Sequence, residues 1–263
     1  CYVVYMGSAT QTVTAPAGSI VSGQIANATL ALPSGLTVVG DTGIGTTSPS
    51  QKLHVSASNP FFELQGTAAT SGDTGIFLNA NANHWILKAD NYSSTNAFQI
   101  KQGDTSSSTA FMTINSIGAV TKPLQPAFSV RSDTNNTNFA LNTTHTVAFA
   151  TEIFDQNDDF ASNTFTAPVT GRYQLNAHFH FEDVASSANY LEARLVTSNR
   201  TYYAITDPTG YDQTVTYHTF TISVLADMDA SDTATMSYFQ PSGGDQQIDL
   251  NGSLTHFTGF LAC

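Results

Sequence analysis

Three features of this 263-residue sequence predict an all-β protein. The first is strict alternation in its best-patterned stretch, where Tyr173, Leu175, Ala177, Phe179 and Phe181 interleave with Gln174, Asn176, His178 and His180. A period of two places one set in a core and the other on the opposite face of a strand. The second is the recurrence of short apolar runs, about every 10 to 14 residues, separated by polar turns, with no convincing helical segment. The third is composition. Only 11% of residues are charged, against roughly 25% in ordinary soluble domains, and Thr, Ser, Asn and Gln fill the difference. Such surfaces suit extended β-proteins and extracellular fibres. The predicted architecture is a fibre-like chain with a thin N-terminal arm, a short-stranded β shaft and a C-terminal sandwich of two antiparallel sheets.

The same numbers exclude several classes of function. With 8 basic and 20 acidic residues the net charge is −12, which argues against nucleic acid and anionic lipid, because phosphate binding needs a basic stripe. No apolar run approaches the roughly 18 residues of a membrane-spanning helix, and no signal-peptide pattern opens the chain. The first residue is Cys1, inside an apparent strand Tyr2–Met6, as expected of a processed or truncated portion of something longer. The two cysteines, Cys1 and Cys263, match no metal spacing, and the chain is not built around disulfides.

Residues 1–37 are rich in Ala, Ser, Thr and Gly, with one possible helical turn at Ser22–Leu32, and read as a linker or attachment arm. Residues 38–56 hold very short strands punctuated by Gly40, Gly43 and Gly45, with a turn at Pro49 and renewed alternation from Lys52 to Val55. This GIGTTSP-x-x-KLHV segment resembles the β linker recurrent in bacteriophage tail fibres and related trimeric surface fibres. Residues 57–122 form the shaft, with strands expected at Phe61–Leu64, Gly75–Leu78, His84–Ala89, Phe98–Lys101, Phe111–Ile114 and Ala119–Val120. Trp85, the one tryptophan, is expected in its core. The closing FMTINSIGAV resembles the strand-turn-strand that ends such fibre modules. KPLQP, residues 122–126, is a proline-bracketed linker and marks the boundary to a C-terminal domain at 123–263.

Beyond that linker, strands are expected at Ala127–Val130, Thr146–Phe154, Asn163–Thr166, Arg172–Phe181, Tyr190–Val196, Thr201–Ile205, Thr214–Ala226, Thr233–Phe239 and Ser253–Ala262. SSANYLEARL has helical propensity, but its surroundings make it a strand. Between Phe165 and Tyr173, Pro168 ends one strand and Gly171 is expected to permit a sharp turn into the next.

The order of landmarks here resembles the globular C1q domain, the jelly roll shared with the tumour-necrosis-factor superfamily. Ala127–Val130 is similar to its first strand, and Val147–Asp155 carries Phe149, Phe154 and Asp155 in the family's F-x-x-x-x-F-D pattern. Phe160, then Phe165-Thr166-Ala167-Pro168 with Gly171 and Tyr173, follow its F-T-x-P-x-x-G-x-Y run. Gly243-Gly244-Asp245 and Phe257–Leu261 match its last loop and its ending. Arg172 and Thr258 depart from the pattern, and no collagen-like stalk precedes the domain. The fibre-like stalk points to a phage rather than a secreted animal protein. The resemblance implies a tight homotrimer, and thin β-segments that cannot close a core alone agree with it.

Catalysis finds little support. No nucleophile elbow occurs, the acidic residues are scattered through loops, and no parallel β-helix repeat of a depolymerising tailspike is present, so no enzyme is expected. His178 and His180 share a strand face and allow either a metal site between chains or, with Asn176, a hydrogen-bonded trimer interface. Asp155, Asp158, Asp159 and Asp245 supply the hard oxygens that Ca²⁺ requires, though no EF-hand loop is present and solvated turns are the plainer alternative. Receptor contacts are expected on loops at one end of the sandwich: Tyr202, Tyr203, Asp207, Tyr211, Asp212, Gln240, Asp245 and Gln246. Tyrosine stacks on sugar faces while Asp and Gln bond hydroxyls; packing of Tyr202 and Tyr203 between the sheets is the alternative.

The function expected is that of a phage tail-fibre, receptor-binding protein on the virion. It would hold another tail protein through its N-terminus and adhere to a host surface glycan without inserting into the membrane. A structural trimerisation module, or a cellular C1q-like lectin, are the alternatives.

Overall fold

The computed structural model describes residues 40–66, 74–80, 83–90, 96–103, 110–137, 139–242 and 249–263. The chain divides into two compact units, Cys1–Glu63 and Leu64–Cys263. The arm 1–37, its helical turn and the strand Tyr2–Met6 lie outside the described residues.

In the first unit β1 (Thr42–Ile44) pairs in parallel with β2 (Leu53–Val55). The return between them is tight. Gly45 has φ +76°, and a Cβ there would lie 2.0 Å from the Ser56 carbonyl oxygen, so only glycine fits. Phe61–Leu64 is not a strand; it has no ladder partner, and Phe61 and Phe62 are exposed.

Five strands then form an antiparallel meander: β3 (Thr74–Ala80), β4 (Asn83–Asp90), β5 (Ala97–Gln102), β6 (Ala110–Ile114) and β7 (Val120–Thr121). Cross-strand register puts Ile76, Leu87, Ile100 and Met112 in one row and Leu78 with Trp85 in another, all on one face. The opposite face carries Ile86, Lys88, Ala97 and Lys101, all buried, with Lys88 4.0 Å from Asp90. Trp85 is therefore not the core residue expected. It is 39% exposed, packs against Phe111 with ring centroids 5.3 Å apart and planes tilted by 42°, and its neighbour Ile86 is the buried one. Alternation alone cannot say which of two apolar faces a sheet covers.

The remaining strands are β8 (Ala127–Arg131), β9 (His145–Thr146), β10 (Thr151–Gln156), β11 (Phe160–Ala161), β12 (Thr164–Thr166), β13 (Gly171–Val184), β14 (Leu191–Thr197), β15 (Thr201–Thr206), β16 (Val215–Met228), β17 (Thr233–Phe239), β18 (Asp249–Leu250) and β19 (His256–Leu261). They form two sheets, in the orders β10-β8-β19-β13-β16 and β11-β12-β17-β14-β15, with β18 beside β13 and β9 beside β17. Every pairing is antiparallel, and the pairs are nested: β14 with β15, β13 with β16, β12 with β17 and β8 with β19. A ribbon nested in this way and rolled across two sheets is a jelly roll.

The inward residues of β13 are Tyr173, Leu175, Ala177, Phe179 and Phe181, all fully buried as the alternation predicts. Phe128, Phe149, Phe160, Phe165 and Phe257 converge in one aromatic cluster, whereas the landmark Phe154 is 52% exposed. Phe128 lies 4.7 Å from Phe165 and 4.9 Å from Phe257, and Phe149 packs edge-on against Phe160. Gly171 is not in a left-handed conformation; its role is close approach, because a Cβ would meet Leu261 Cδ1 at 2.6 Å and the Cys263 carbonyl oxygen at 2.8 Å. The predicted strand Thr146–Phe154 is two strands, because β9 belongs to the second sheet and β10 to the first, so the chain must cross between them. The predicted Ser253–Ala262 strand begins with a short 3₁₀ turn at Gly252–Leu254, and β11 and β18 were too short to show in the pattern.

Linker and last strand meet at one end of the sandwich. The Leu261 N–H donates to the Pro126 carbonyl and the Arg172 N–H to that of Cys263, at 3.0 and 2.7 Å. The opposite end carries the loops after β13, β15 and β17.

Candidate ligand-binding and assembly faces

The outer face of the second sheet brings together residues from β14, β15 and β17. Register sets Arg194 opposite Tyr203 on one side and Ser237 on the other, and Glu192 between Ile205 and Phe239. Arg194 donates from Nε and Nη2 to the two oxygens of Glu192, at 2.8 and 3.1 Å, and from Nη1 to Thr144 Oγ1 at 3.2 Å. Its guanidinium carbon lies 4.9 Å from the Phe239 ring and 5.8 Å from that of Tyr203, within cation–π range. The Glu192 hydrogen bonds hold the Arg194 proton more tightly than usual, against the opposing effect of burial. Tyr203 and Ile205, 57% and 60% exposed, stand at the edge of this arrangement. The result is a flat platform of aromatic and aliphatic surface around a fixed ion pair.

Of the residues singled out in the sequence, Tyr203 is on this platform, whereas Tyr202 points to the other side of β15 and packs against the core. The alternative of burial between the sheets thus describes Tyr202 and not Tyr203. Asp207 caps the 3₁₀ turn Pro208–Gly210, accepting from the Thr209 N–H at 2.9 Å and from its hydroxyl. Those hydrogen bonds hold its carboxyl below the ordinary range. Tyr211 pairs its hydroxyl with Thr206 Oγ1 at 3.1 Å and leans on His218, while Asp212 is exposed. Asp207, Tyr211 and Asp212 follow β15 directly, so they border the platform at the end away from the linker. Gln240 is corrected: it is 1% exposed, its carbonyl accepts from the Asn142 N–H, and it presents no surface to a receptor. Asp245 and Gln246 lie outside the described residues. Sequence reasoning missed Glu192, Arg194 and Phe239. The available signal was the alternation of Glu192 and Arg194 in a chain with very few cations.

The outer face of the first sheet carries Gln174, Asn176, His178, His180 and Glu182 on β13, as the alternation predicts. The first four meet hydroxyls from β16, whereas Glu182 accepts from the Asn251 side-chain amide at 2.7 Å. His178 Nδ1 lies 3.1 Å from Thr221 Oγ1, His180 Nδ1 3.2 Å from Thr219 Oγ1, and Ser223 Oγ donates to Asn176 Oδ1 at 2.8 Å. His256, from β19, stacks on His178 with ring centroids 4.6 Å apart. Burial first, then the imidazoles of His256 and His180, hold His178 below the ordinary histidine range. Tyr217, Leu225 and Phe260 are exposed at the margins of this row.

Asp155, Asp158 and Asp159 meet in the turn between β10 and β11. The Asp155 carboxylate accepts from the N–H groups of Asp159 and Phe160, at 3.2 and 2.8 Å, while Asn157 and Asp158 adopt left-handed φ of 83° and 59°. Burial, and then the charges of Asp155 and Asp158, raise the Asp159 pKa. Asp155 is thus committed to the backbone of its own turn. Among the described residues, no group of three or more His, Cys, Asp or Glu is placed to hold a metal ion, and no helix is long and apolar enough to cross a membrane.

No protein-family model matches the chain, and no curated protein does. Among solved structures, the globular domain of zebrafish complement 1qA protein aligns with a TM-score of 0.40 and 20% identity, covering 53% of this chain and 98% of that one. Murine APRIL at pH 8.0 aligns with a TM-score of 0.39 and 11% identity, over 52% of this chain and 98% of that one. The same protein at pH 5.0 gives 0.37, with the same identity and coverage. The jelly-roll assignment rests on the nested strand pairing described above.

Proposed function

We propose that this chain is the receptor-binding fibre protein of a phage tail, a homotrimer on the virion whose C-terminal jelly roll adheres to a host surface glycan without covalent chemistry. The observation that carries the reading is the platform of Tyr203, Ile205 and Phe239 around the Arg194–Glu192 pair. Sugars present apolar C–H faces ringed by hydroxyls. An exposed aromatic beside a fixed ion pair serves both parts, the ring by stacking and the neighbouring polar groups by hydrogen bonds. The platform sits toward the end of the sandwich away from the linker, where a fibre would meet a cell. A single weak site suffices, because three copies per fibre and many fibres per particle raise avidity by about 10²–10⁴. The GIGTTSP-x-x-KLHV segment supports the phage assignment, with the arm before it holding another tail protein.

The test is binding of the full chain to a panel of immobilised bacterial surface glycans. Tyr203→Ala should lose at least about tenfold in binding, as expected for one stacked ring, with an unchanged melting temperature. Undiminished binding by that variant would overturn the reading.

A second reading, a trimerisation module that sets the register of three chains, is favoured by the hydrogen-bonded row of Asn176, His178 and His180 on the first sheet. Thr221→Lys, which thrusts a cation among these imidazoles, should then dissociate the oligomer in sedimentation without unfolding it. An unchanged mass would remove that row from the interface.

A further inference from the structure

We infer that the apolar face of the β3–β7 meander is a self-association surface, occupied by the same face of other copies of this chain. The inference shares with the preceding section the expectation that copies associate, but it rests on a different sheet and a different observation. Ile76, Leu78, Trp85, Phe98 and Val120 all point to this face and are between 39% and 54% exposed. Cross-strand pairing sets them in register with Leu87, Ile100, Met112 and Ile114, so the surface is continuous across five strands rather than scattered. Single exposed apolar residues are ordinary; a contiguous patch is not. The other face of the same sheet is covered around Ile86, Ala97 and two buried lysines, with Phe77 on the edge strand 53% exposed.

Two observations select the occupant. Among the described side chains none on this face is charged, and Thr74 and Gln102 are its polar members. An identical apolar face complements it, whereas a surface with the polar character of the rest of this chain does not. Size agrees as well. Five strands about 4.8 Å apart, each contributing about five or six residues at 3.3 Å, give roughly 400 Å² in projection per copy. Protruding side chains raise the accessible area, so the three faces of a homotrimer turned to a common axis bury at least on the order of 1,000 Å², the lower bound for specific association. Sheets packed face to face interdigitate such rows at a separation of about 10 Å.

Trp85 makes the test direct, because it is the chain's one tryptophan and lies on this face. The full chain is followed by sedimentation equilibrium and by acrylamide quenching of tryptophan fluorescence, for wild type and for Phe98→Glu. We expect an oligomer in which Trp85 is shielded from quencher. In Phe98→Glu, association should weaken by at least about 100-fold, because a buried carboxylate would lack a partner, and quenching should rise to that of the free face. Val120→Lys, at the edge of the sheet, gives the same comparison should Phe98→Glu fail to fold. An oligomer in which Trp85 is as accessible as in the variants would overturn this inference and leave assembly through the jelly roll standing. A monomer at every concentration would overturn both. A monomer with shielded Trp85 would show that residues of its own chain cover the face.

Discussion

The Arg194–Glu192 pair can be dissected by a double-mutant cycle whose outcome follows from its geometry. The two side chains differ in exposure: that of Glu192 is 8% accessible and that of Arg194 21%. Removing Arg194 strands a nearly buried carboxylate. Breaking a buried pair in this way costs about 3–5 kcal/mol, and the partial exposure of Arg194 places Arg194→Ala near the lower end, about 3 kcal/mol. Removing Glu192 instead leaves a guanidinium that still reaches water, Thr144 and two aromatic rings, so Glu192→Ala should cost about 1–2 kcal/mol. Removing both strands nothing. The double variant should therefore fall short of the sum by about 1.5–2 kcal/mol. Urea unfolding reads this as shifts in midpoint at constant slope, with all four proteins at one concentration because association would raise apparent stability. If the single effects add to within about 0.5 kcal/mol, the pair is not coupled, and the platform is not the fixed structure on which the binding proposal depends.

Other expectations follow from the fold. His178 and His218 are both held below the ordinary histidine range, His218 by burial alone. The unfolded chain therefore binds more protons than the folded one below about pH 6.5, so stability is full above that pH and declines as pH falls from it toward the depressed folded values. His218→Gln should flatten the part of this slope that His218 contributes, and an identical slope in denaturant titrations would refute its assignment. Gly259→Ala should destabilise by about 1–3 kcal/mol through overpacking, since its Cβ would lie 2.6 Å from Phe128 Cε1 and 2.7 Å from Leu175 Cδ2. Adding Phe128→Leu should recover part of that loss, and a strictly additive pair would show that the backbone moves instead. Asp155→Ala removes the acceptor for two N–H groups of its turn and should lower stability by about 1–2 kcal/mol in thermal melts; no change would mean that water replaces it.

The sequence made the jelly roll legible because most of its aromatic landmarks are core residues, Phe154 excepted. Phe128, Phe160, Phe165 and Phe257 come from four separate strands and Phe149 from the crossing between β9 and β10, yet they meet as one aromatic cluster, so their order along the chain encoded their packing. Alternation in β13 likewise named both faces of the first sheet. The meander was harder. Its strands are apolar on both faces near Trp85 and Ile86, and a period of two is silent about which face is covered. The Arg194 platform was least visible because it depends on three separate strands, with Arg194 opposite Tyr203 and Glu192 opposite Phe239. Register across a sheet decides such neighbours, and no local pattern reports it. Gln240 failed for a related reason: a polar residue in a Pro/Ser/Gly-rich stretch reads as surface, whereas its position at the end of β17 carries it inward.

The meeting of Pro126, Leu261 and Cys263 at one end of the sandwich has a consequence for how such a module can be exchanged. Chain arrives and departs through the same small area, so the whole jelly roll can be cut out at 126 and replaced by another without rethreading anything upstream. Any sequence joined after residue 263 would leave on the linker side, away from the loops after β13, β15 and β17. A reporter or affinity tag fused there would leave the Arg194 platform and its bordering loops clear.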